Sequence, residues 1–267
     1  MKSSRLKTTL QYVQRNESVT VEELCSMYHI SAETARRDLN RLAKEGLVRR
    51  VYGGAVVLSQ RGNDVTPWEA RSNLHIDEKR RIAAEVVRHI PDGATVALDS
   101  GTTLLELAKL LKDKRDLTVI TNDLHIAAEV CAGTAHKVCL IGGFIQRNDL
   151  MMTAGYLANG FLSNCPEIDI TLLNADGFDI RTGIADCNSD MAALKIALAR
   201  NAAKVIAAFD SSKFSLSAPY PVCAAREIDL LVTDSGVPAK TKESIRRLGC
   251  EVITVGRDKK QPVPDAK

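Results

Sequence analysis

From Ser31 to Gly46 the apolar residues Ala35, Leu39 and Leu42 recur at i, i+4 and i+7. That spacing is one stripe on a helix, with Ser31 as its N-cap and Gly46 as the residue that stops it. Upstream, Leu6, Leu10 and Val13 give Arg5–Gln14 a helical stripe, and Asn16–Ser18 is polar turn material. Val21, Leu24, Cys25 and Tyr28 line a second helix, capped by Thr20 with Glu23 three residues on, the spacing of a capping box. Met27, His29 and Ile30 fill a short turn between the second and third helices, so the pattern predicts a helix-turn-helix. After Gly46 the period changes: Leu47, Val48, Val51, Tyr52 and Val56 flank Gly53-Gly54, a hairpin signal with those two glycines as its turn. Helices followed by such a hairpin predict a winged head over residues 3–58.

Residues 59–74 are polar, with one Gly and one Pro, and read as a linker in which Trp68, the only tryptophan, can dock onto either side. From residue 75 to 257 short apolar runs alternate with amphipathic segments. Strands are predicted at 94–98, 117–121, 137–141, 168–173, 204–209, 230–233 and 252–255. Helices are predicted at 77–89, 103–111, 124–132, 191–201 and 239–248. Runs of about five apolar residues between helices predict a mainly parallel sheet covered on both faces, an α/β body. Residues 258–267 form a polar tail.

Charge divides the chain at the same place. Residues 1–61 hold 11 Lys and Arg against 6 Asp and Glu, and the remainder holds 25 against 27, so the head is the part that meets a polyanion. The seven cysteines are odd in number and include no C-x-x-C pair, and the five histidines show no ligand spacing. No metal site and no disulfide framework is indicated, which together with the lack of an apolar leader or of about 18 consecutive apolar residues points to the cytoplasm, with no membrane contact.

Two sets of residues carry chemistry. On the predicted third helix Ser31, Glu33, Thr34, Arg36, Arg37, Asn40, Arg41 and Lys44 face away from the stripe. Thr20 heads the preceding helix, and Arg49 and Arg50 lie on the wing, placed to clamp flanking phosphates of duplex DNA. In the body, five of the seven predicted strands are followed by a small, polar or glycine-containing loop: Asp99-Ser100-Gly101-Thr102-Thr103, Thr121-Asn122-Asp123, Gly142-Gly143, Asp176-Gly177-Phe178-Asp179 and Asp210–Phe214. Parallel sheets bind ligands at the carboxyl ends of their strands. The 99–103 loop opens a helix whose amides can receive a phosphate, and Lys213 can add a positive charge. No loop matches a dinucleotide or Walker A fingerprint, so no nucleotide cofactor is expected.

The run ISAETARRDLNRLAKEGLVRRVYGGAV, with Arg5, Thr20–Leu24 and the later Arg71…Glu78-Lys79, resembles the DeoR family of bacterial transcriptional regulators. The resemblance extends through the loops of the body and so covers nearly the whole chain. It implies a winged helix-turn-helix at Thr20–Leu39 with Thr34, Arg36 and Arg37 leading recognition, and Asp38 either orienting an arginine or binding within the head rather than facing DNA. It also implies a body similar to ribose-5-phosphate isomerase. There Asp99–Thr103 would hold the phosphate of a phosphorylated sugar, and Thr121-Asn122, Gly142-Gly143, Asp176-Gly177 and Lys213 would complete the site. Two positions depart from the family pattern: Asn174 where Gly is common, and Gln146 followed by Arg147 where Arg is common one step earlier. The implied function is repression of a carbohydrate-metabolism operon by a homo-oligomer, dimer or tetramer, relieved by the sugar phosphate. The alternative is a sugar-phosphate isomerase with a regulatory head, for which Asp176, Asp179, Asp190 and Lys213 are the available groups. Against it, CNSDMAALK (187–195) holds neither the glycine run nor the glutamate of the isomerase pattern. An architectural DNA binder with an inert body is a third reading.

Overall fold

The computed structural model describes residues 2–16, 18–44, 47–51, 53–57, 68–145, 152–155, 158, 160, 165, 167–216 and 218–256. Gly46, Gln146, Arg147, most of the expected linker and the tail lie outside them. The chain forms two compact units, Met1–Thr66 and Pro67–Lys267.

The first unit holds α1 (Lys2–Asn16), β1 (Ser18–Thr20), α2 (Val21–Tyr28), α3 (Ala32–Lys44), β2 (Val48–Val51) and β3 (Gly54–Val57). The stripe Ala35, Leu39 and Leu42 is buried to 2% exposure or less, and it packs with Leu6, Val13, Val19, Leu24, Val48 and Ala55. His29 ends α2 in the left-handed conformation, φ +49°, which turns the chain into α3. Histidine is among the non-glycine residues that tolerate this region.

Two local expectations change. Ser18–Thr20 is a strand rather than part of a turn, pairing antiparallel with β3 in a sheet ordered β1-β3-β2. The wing closes at Val51↔Gly54, so the reversal lies one residue earlier than Gly53-Gly54. Gly54 is in the strand for a steric reason: a Cβ there would stand 2.1 Å from the carbonyl oxygen of Val19 on β1.

In the second unit α4 (Trp68–Asn73), in what the sequence marks as linker, and α5 (Ile76–Val86) lead into β4 (Thr95–Leu98) and α6 (Thr102–Ala108). Then come β5 (Thr118–Thr121), α7 (Leu124–Gly133), β6 (Lys137–Leu140), β7 (Phe144–Ile145), β8 (Thr153–Ala154) and β9 (Ile168–Leu173). The chain closes with β10 (Gly177–Asp179), β11 (Gly183–Asp186), α8 (Ser189–Arg200), β12 (Ala202–Ala208), β13 (Tyr220–Cys223), β14 (Leu230–Asp234), α9 (Ala239–Arg247) and β15 (Glu251–Val255). Seven of these strands make one parallel sheet in the order β15-β14-β12-β9-β4-β5-β6.

Alternation along the strands builds a core on each face. Val96, Leu98, Ile170, Leu172, Ile206 and Val232 point to one side, under Ile82, Val86, Leu104 and Leu107 of α5 and α6 and Ile126 and Val130 of α7. Leu173, Val205, Ala207 and Leu231 point to the other, with Ile245 of α9, while Ala97 and Ile120 meet Leu194 and Leu198 of α8. The strand order reverses between β4 and β9, and ligands of open parallel sheets bind beyond the carboxyl ends at such a reversal. A second, antiparallel sheet, β10-β11-β13, was not visible in the sequence pattern.

Candidate functional site

In the first unit the outer face of α3 is laid out as its sequence predicts. Arg36, Arg37, Asn40 and Arg41 are exposed. Ser31 Oγ caps the helix, accepting from the Thr34 amide at 3.3 Å, and lies 3.0 Å from the Thr34 hydroxyl. Thr20 and Glu23 exchange the two bonds of the capping box, at 3.1 and 2.6 Å. Glu33 and Arg37 pair at 3.1 Å with both side chains open to solvent, a contact of little energetic weight. Asp38 turns inward and holds Arg5 of α1 at 2.6 Å, so it braces the helices.

Arg50 has a different task from the one expected of it. Its Nε donates to Asn40 Oδ1 at 2.8 Å and its Nη1 donates to the Gly54 carbonyl. Burial first, and then the nearby Arg36 charge, lower its pKa. It therefore ties the wing to α3, and a guanidinium used this way is not a free phosphate clamp. The Arg49 side chain lies outside the described residues.

In the second unit, the loops at the reversal point are knitted together from below. The Asp99 amide donates to Leu172 O, and its Oδ2 accepts from the Asn174 amide at 3.0 Å. The same oxygen faces Lys195 Nζ at 2.9 Å, and Lys195 also meets Asp186 Oδ2 at 2.8 Å. Asp99 and Lys195 are 1% and 3% exposed. Burial alone would strip Lys195 of its charge, but Asp186, Asp99 and Asp176 outweigh it and hold the ammonium charged. Two carboxylates share that one cation. Burial therefore still pushes the Asp99 carboxyl up to about 6, against Lys195 and the Asn174 amide. Asp99 is thus an anchor for its loop, its carboxylate held between Lys195 and the Asn174 amide.

Asp123 does similar work for the next loop. Its Oδ1 caps α7, accepting from His125 and Ile126 amides, and its Oδ2 accepts from the Gly101 amide at 3.3 Å. Thr121 Oγ1 in turn accepts from the Asp123 amide. Asn122 donates to Thr153 O at 3.0 Å, which brings β8 alongside, and its Oδ1 is buried with no partner. Asn174, the departure from the family pattern, also has a buried, unpartnered Oδ1. A Cβ at Gly101 would stand 2.3 Å from Asn174 Nδ2, so the loop closes only on a glycine. Ser100, Thr102 and Thr103 are buried behind it.

Cations gather at this edge. Lys213 sits half-buried on the turn after Asp210, and Asp210 Oδ1 caps that turn through the Ser212 amide. Arg71 of α4 carries two buried nitrogens, Nε and Nη2, with no hydrogen-bond partner. Lys79 of α5 is 4% exposed and donates to the Arg71 carbonyl. Burial lowers Lys79 to about 8, with Asp210 opposing and Lys213 and Arg71 adding to the shift. Burial likewise lowers Arg71, while Asp176, Asp123 and Asp186 pull the other way. Asp176 stays ionised: burial raises its pKa, but Lys195, Lys213, the Cys187 amide and Arg71 more than reverse this. Trp68 fastens α4 here, its ring stacked on His125 with centroids 4.5 Å apart and planes within 8°.

Lys213, Asp176, Thr121, Asn122 and the 99–103 loop are thus brought to one edge. Gly142 and Gly143 follow β6, on the far side of β5 from the reversal. Sequence reasoning missed four contributors: Arg71, Lys79, Lys195 and Asp186. A cavity of about 260 Å³ lies elsewhere, lined by Ile196, Ala199, Val205 and Val222 among others, and includes none of the expected effector residues.

The DeoR-like helix-turn-helix domain matches residues 5–61, and the DeoR C terminal sensor domain matches residues 74–235. The chain is 33% identical over 255 residues to the putative aga operon transcriptional repressor of Escherichia coli O157:H7, spanning 95% of this chain and 94% of that one. It is 35% identical over 228 residues to the transcriptional repressor AccR of Agrobacterium fabrum, spanning 85% and 87%. It is 29% identical over 236 residues to the glycerol-3-phosphate regulon repressor of Escherichia coli K12, spanning 88% and 91%. A solved ribose-5-phosphate isomerase in complex with phospho-erythronic acid aligns over 52% of this chain and 54% of its own, with 15% identity and a TM-score of 0.40, a partial likeness only.

Proposed function

We propose, for a chain that belongs to the DeoR family of transcriptional repressors, that the body binds a phosphorylated metabolite at the carboxyl edge of its sheet and that binding releases the head from operator DNA. The observation that carries this is Arg71. A buried guanidinium with two unmade hydrogen bonds costs free energy that an incoming anion returns. Lys79 and Lys213 supply further positive charge at the same place. The ligand class is a phosphate monoester on a small polyol or sugar, since Asn122 and Asn174 present unpartnered oxygens that accept from hydroxyls. The glycerol-3-phosphate regulon repressor among the relatives is consistent with that class. Relatives that align over nearly the full chain are named as repressors, which leaves the isomerase alternative without support.

Coupling follows from chain connectivity. Arg71 and Trp68 lie on α4, the first described element of the second unit, which begins at Pro67. A ligand that binds one setting of α4 better than another shifts the population of heads able to bind DNA, and 1–3 kcal/mol of coupling changes operator affinity about 5- to 150-fold. A homo-oligomer acting in the cytoplasm would present two heads to paired half-sites.

Trp68 makes the reading testable, because it is the only tryptophan and it sits on the proposed switch. Titration with a panel of sugar and polyol phosphates is expected to change its emission and to release operator DNA over the same concentration range. Arg71→Ala is expected to weaken that response about 10- to 100-fold, the loss of charge-assisted hydrogen bonds, with DNA binding retained. If no phosphorylated compound alters emission or DNA binding, the reading fails.

Lys79 gives a second expectation, in pH. With its pKa near 8, the ligand-free body loses this charge above pH 8. Binding an anion then requires proton uptake, so ligand affinity should fall by up to tenfold per pH unit above 8 and be flat from 7 to 7.5. Stability of the ligand-free body runs the opposite way. The unfolded chain keeps its lysine proton to about 10.5, so stability rises between about pH 8 and 10.5. Calorimetric titration across pH 7–9 checks the first; affinity that is level across that range would remove Lys79 from the site.

A further inference from the structure

The side chain of Asn174 fills the gap between the end of β9 and the 99–103 loop, and we infer that it sets the length of the ligand. Phosphates of three- and four-carbon polyols fit; those of six-carbon sugars and polyols are excluded. The inference rests on the phosphate site proposed above at the same edge, and it names the part of that ligand class the site takes.

β4 and β9 pair as far as Leu98↔Leu172, and the Asp99 amide adds a last bond to the Leu172 carbonyl. Beyond it the two chains part at the reversal of strand order, where an open parallel sheet takes its ligand. Asn174 stands in this opening. Its Nδ2 would lie 2.3 Å from a Cβ at Gly101, so the amide is packed against the loop even on a bare glycine.

Neither wall can step back. The Asn174 N–H donates to Asp99 Oδ2 at 3.0 Å and the Asn174 carbonyl accepts from Lys195 Nζ at 3.3 Å, which ties this backbone to the buried Asp99–Lys195 pair. Opposite, the Gly101 N–H donates to Asp123 Oδ2, and the Gly101 carbonyl accepts from the Leu105 N–H in the first turn of α6. Asn174 Oδ1, by contrast, is buried with no partner. The amide is placed by its backbone, and its oxygen is left for the ligand.

Cβ, Cγ, Oδ1 and Nδ2 of this side chain take about the room of two carbinol groups, and close packing leaves no second space of that size beside them. Two carbinols are the difference between a four-carbon and a six-carbon chain. A misfit of a single methylene already changes discrimination roughly 10- to 200-fold.

The test is calorimetric titration of the whole chain and three variants with glycerol 3-phosphate, erythritol 4-phosphate, sorbitol 6-phosphate and glucose 6-phosphate. The unsubstituted chain is expected to bind one or both of the short ligands at least about tenfold more tightly than either six-carbon one. Asn174→Ala and Asn174→Gly open the gap and are expected to tighten the six-carbon ligands about tenfold without tightening the short ones. Asn174→Gln reaches further and is expected to weaken erythritol 4-phosphate more than glycerol 3-phosphate. The backbone bonds to Asp99 and Lys195 are open to any residue, so all three variants should melt close to the parent. A six-carbon phosphate bound by the unsubstituted chain as tightly as the short ones overturns the inference. So do Ala and Gly variants that keep the parent's order of affinities, whether unchanged or uniformly weaker; either result leaves the phosphate site standing. If no phosphorylated polyol or sugar binds the unsubstituted chain, the phosphate site itself falls and this inference with it.

Discussion

Lys195→Met is expected to destabilise the body by about 3–5 kcal/mol, the cost of leaving buried charge without its partner. Lys195 lies 2.9 Å from Asp99 and 2.8 Å from Asp186, and all three are nearly sealed from solvent. Methionine fills a similar volume, so the loss reports charge rather than a cavity. For a unit of this size about 2–4 °C of melting temperature accompanies each kcal/mol, which makes the shift easy to read calorimetrically. The pH dependence identifies the cause. Asp99 already titrates near 6 through burial and would rise further without the ammonium. A carboxyl with a raised folded pKa contributes stability that is present at low pH and lost as pH climbs through that value. The deficit of Lys195→Met should therefore be largest near neutrality and shrink toward pH 5. Adding Asp99→Asn and Asp186→Asn should restore much of it at pH 7. A variant that melts with the parent at neutral pH would show that the triad does not support the reversal-point loops.

That triad also shows what a sequence conceals. Ile168–Leu173 could be read as a strand to the residue, because Ile168, Ile170, Leu172 and Leu173 are buried within six positions of which only Asp169 is exposed, a strong apolar mark. Ala35, Leu39 and Leu42 were legible for the same reason, since one helix face pays its debt to one core. Lys195 left no such mark. Its partners Asp99 and Asp186 come from a distant loop and from β11, a strand of Gly-Ile-Ala-Asp too short to show alternation. Arg71 sat in a polar stretch that reads as linker, and only the fold turns it toward Asp176 and Lys79. Arg50 looked like a phosphate clamp because a basic wing has that composition, whereas its contact with Asn40 depends on where the hairpin folds back. Local periodicity fixes elements; the charges that give them a task are paired by topology.

Arg36→Ala combined with Arg37→Ala is expected to lower operator affinity by two orders of magnitude or more, since each such arginine contributes about 1–3 kcal/mol to a groove or phosphate contact. Both side chains are exposed, and alanine is the best helix former, so α3 and its buried stripe should survive the change. The Glu33–Arg37 pair does not compete with DNA, because a solvent-open ion pair is worth little and yields to a phosphate. Salt separates the two ways of losing affinity. If the arginines contact phosphates, the slope of log affinity against log salt falls by about 0.9 per contact removed. If they contact base edges, the slope holds and discrimination between operator and random duplex collapses. Arg5→Ala is the contrasting control: it releases Asp38 inside the head and should lower the melting point before it touches DNA recognition. Operator affinity that survives loss of both arginines, at unchanged melting temperature, would move the DNA-reading surface off α3 altogether.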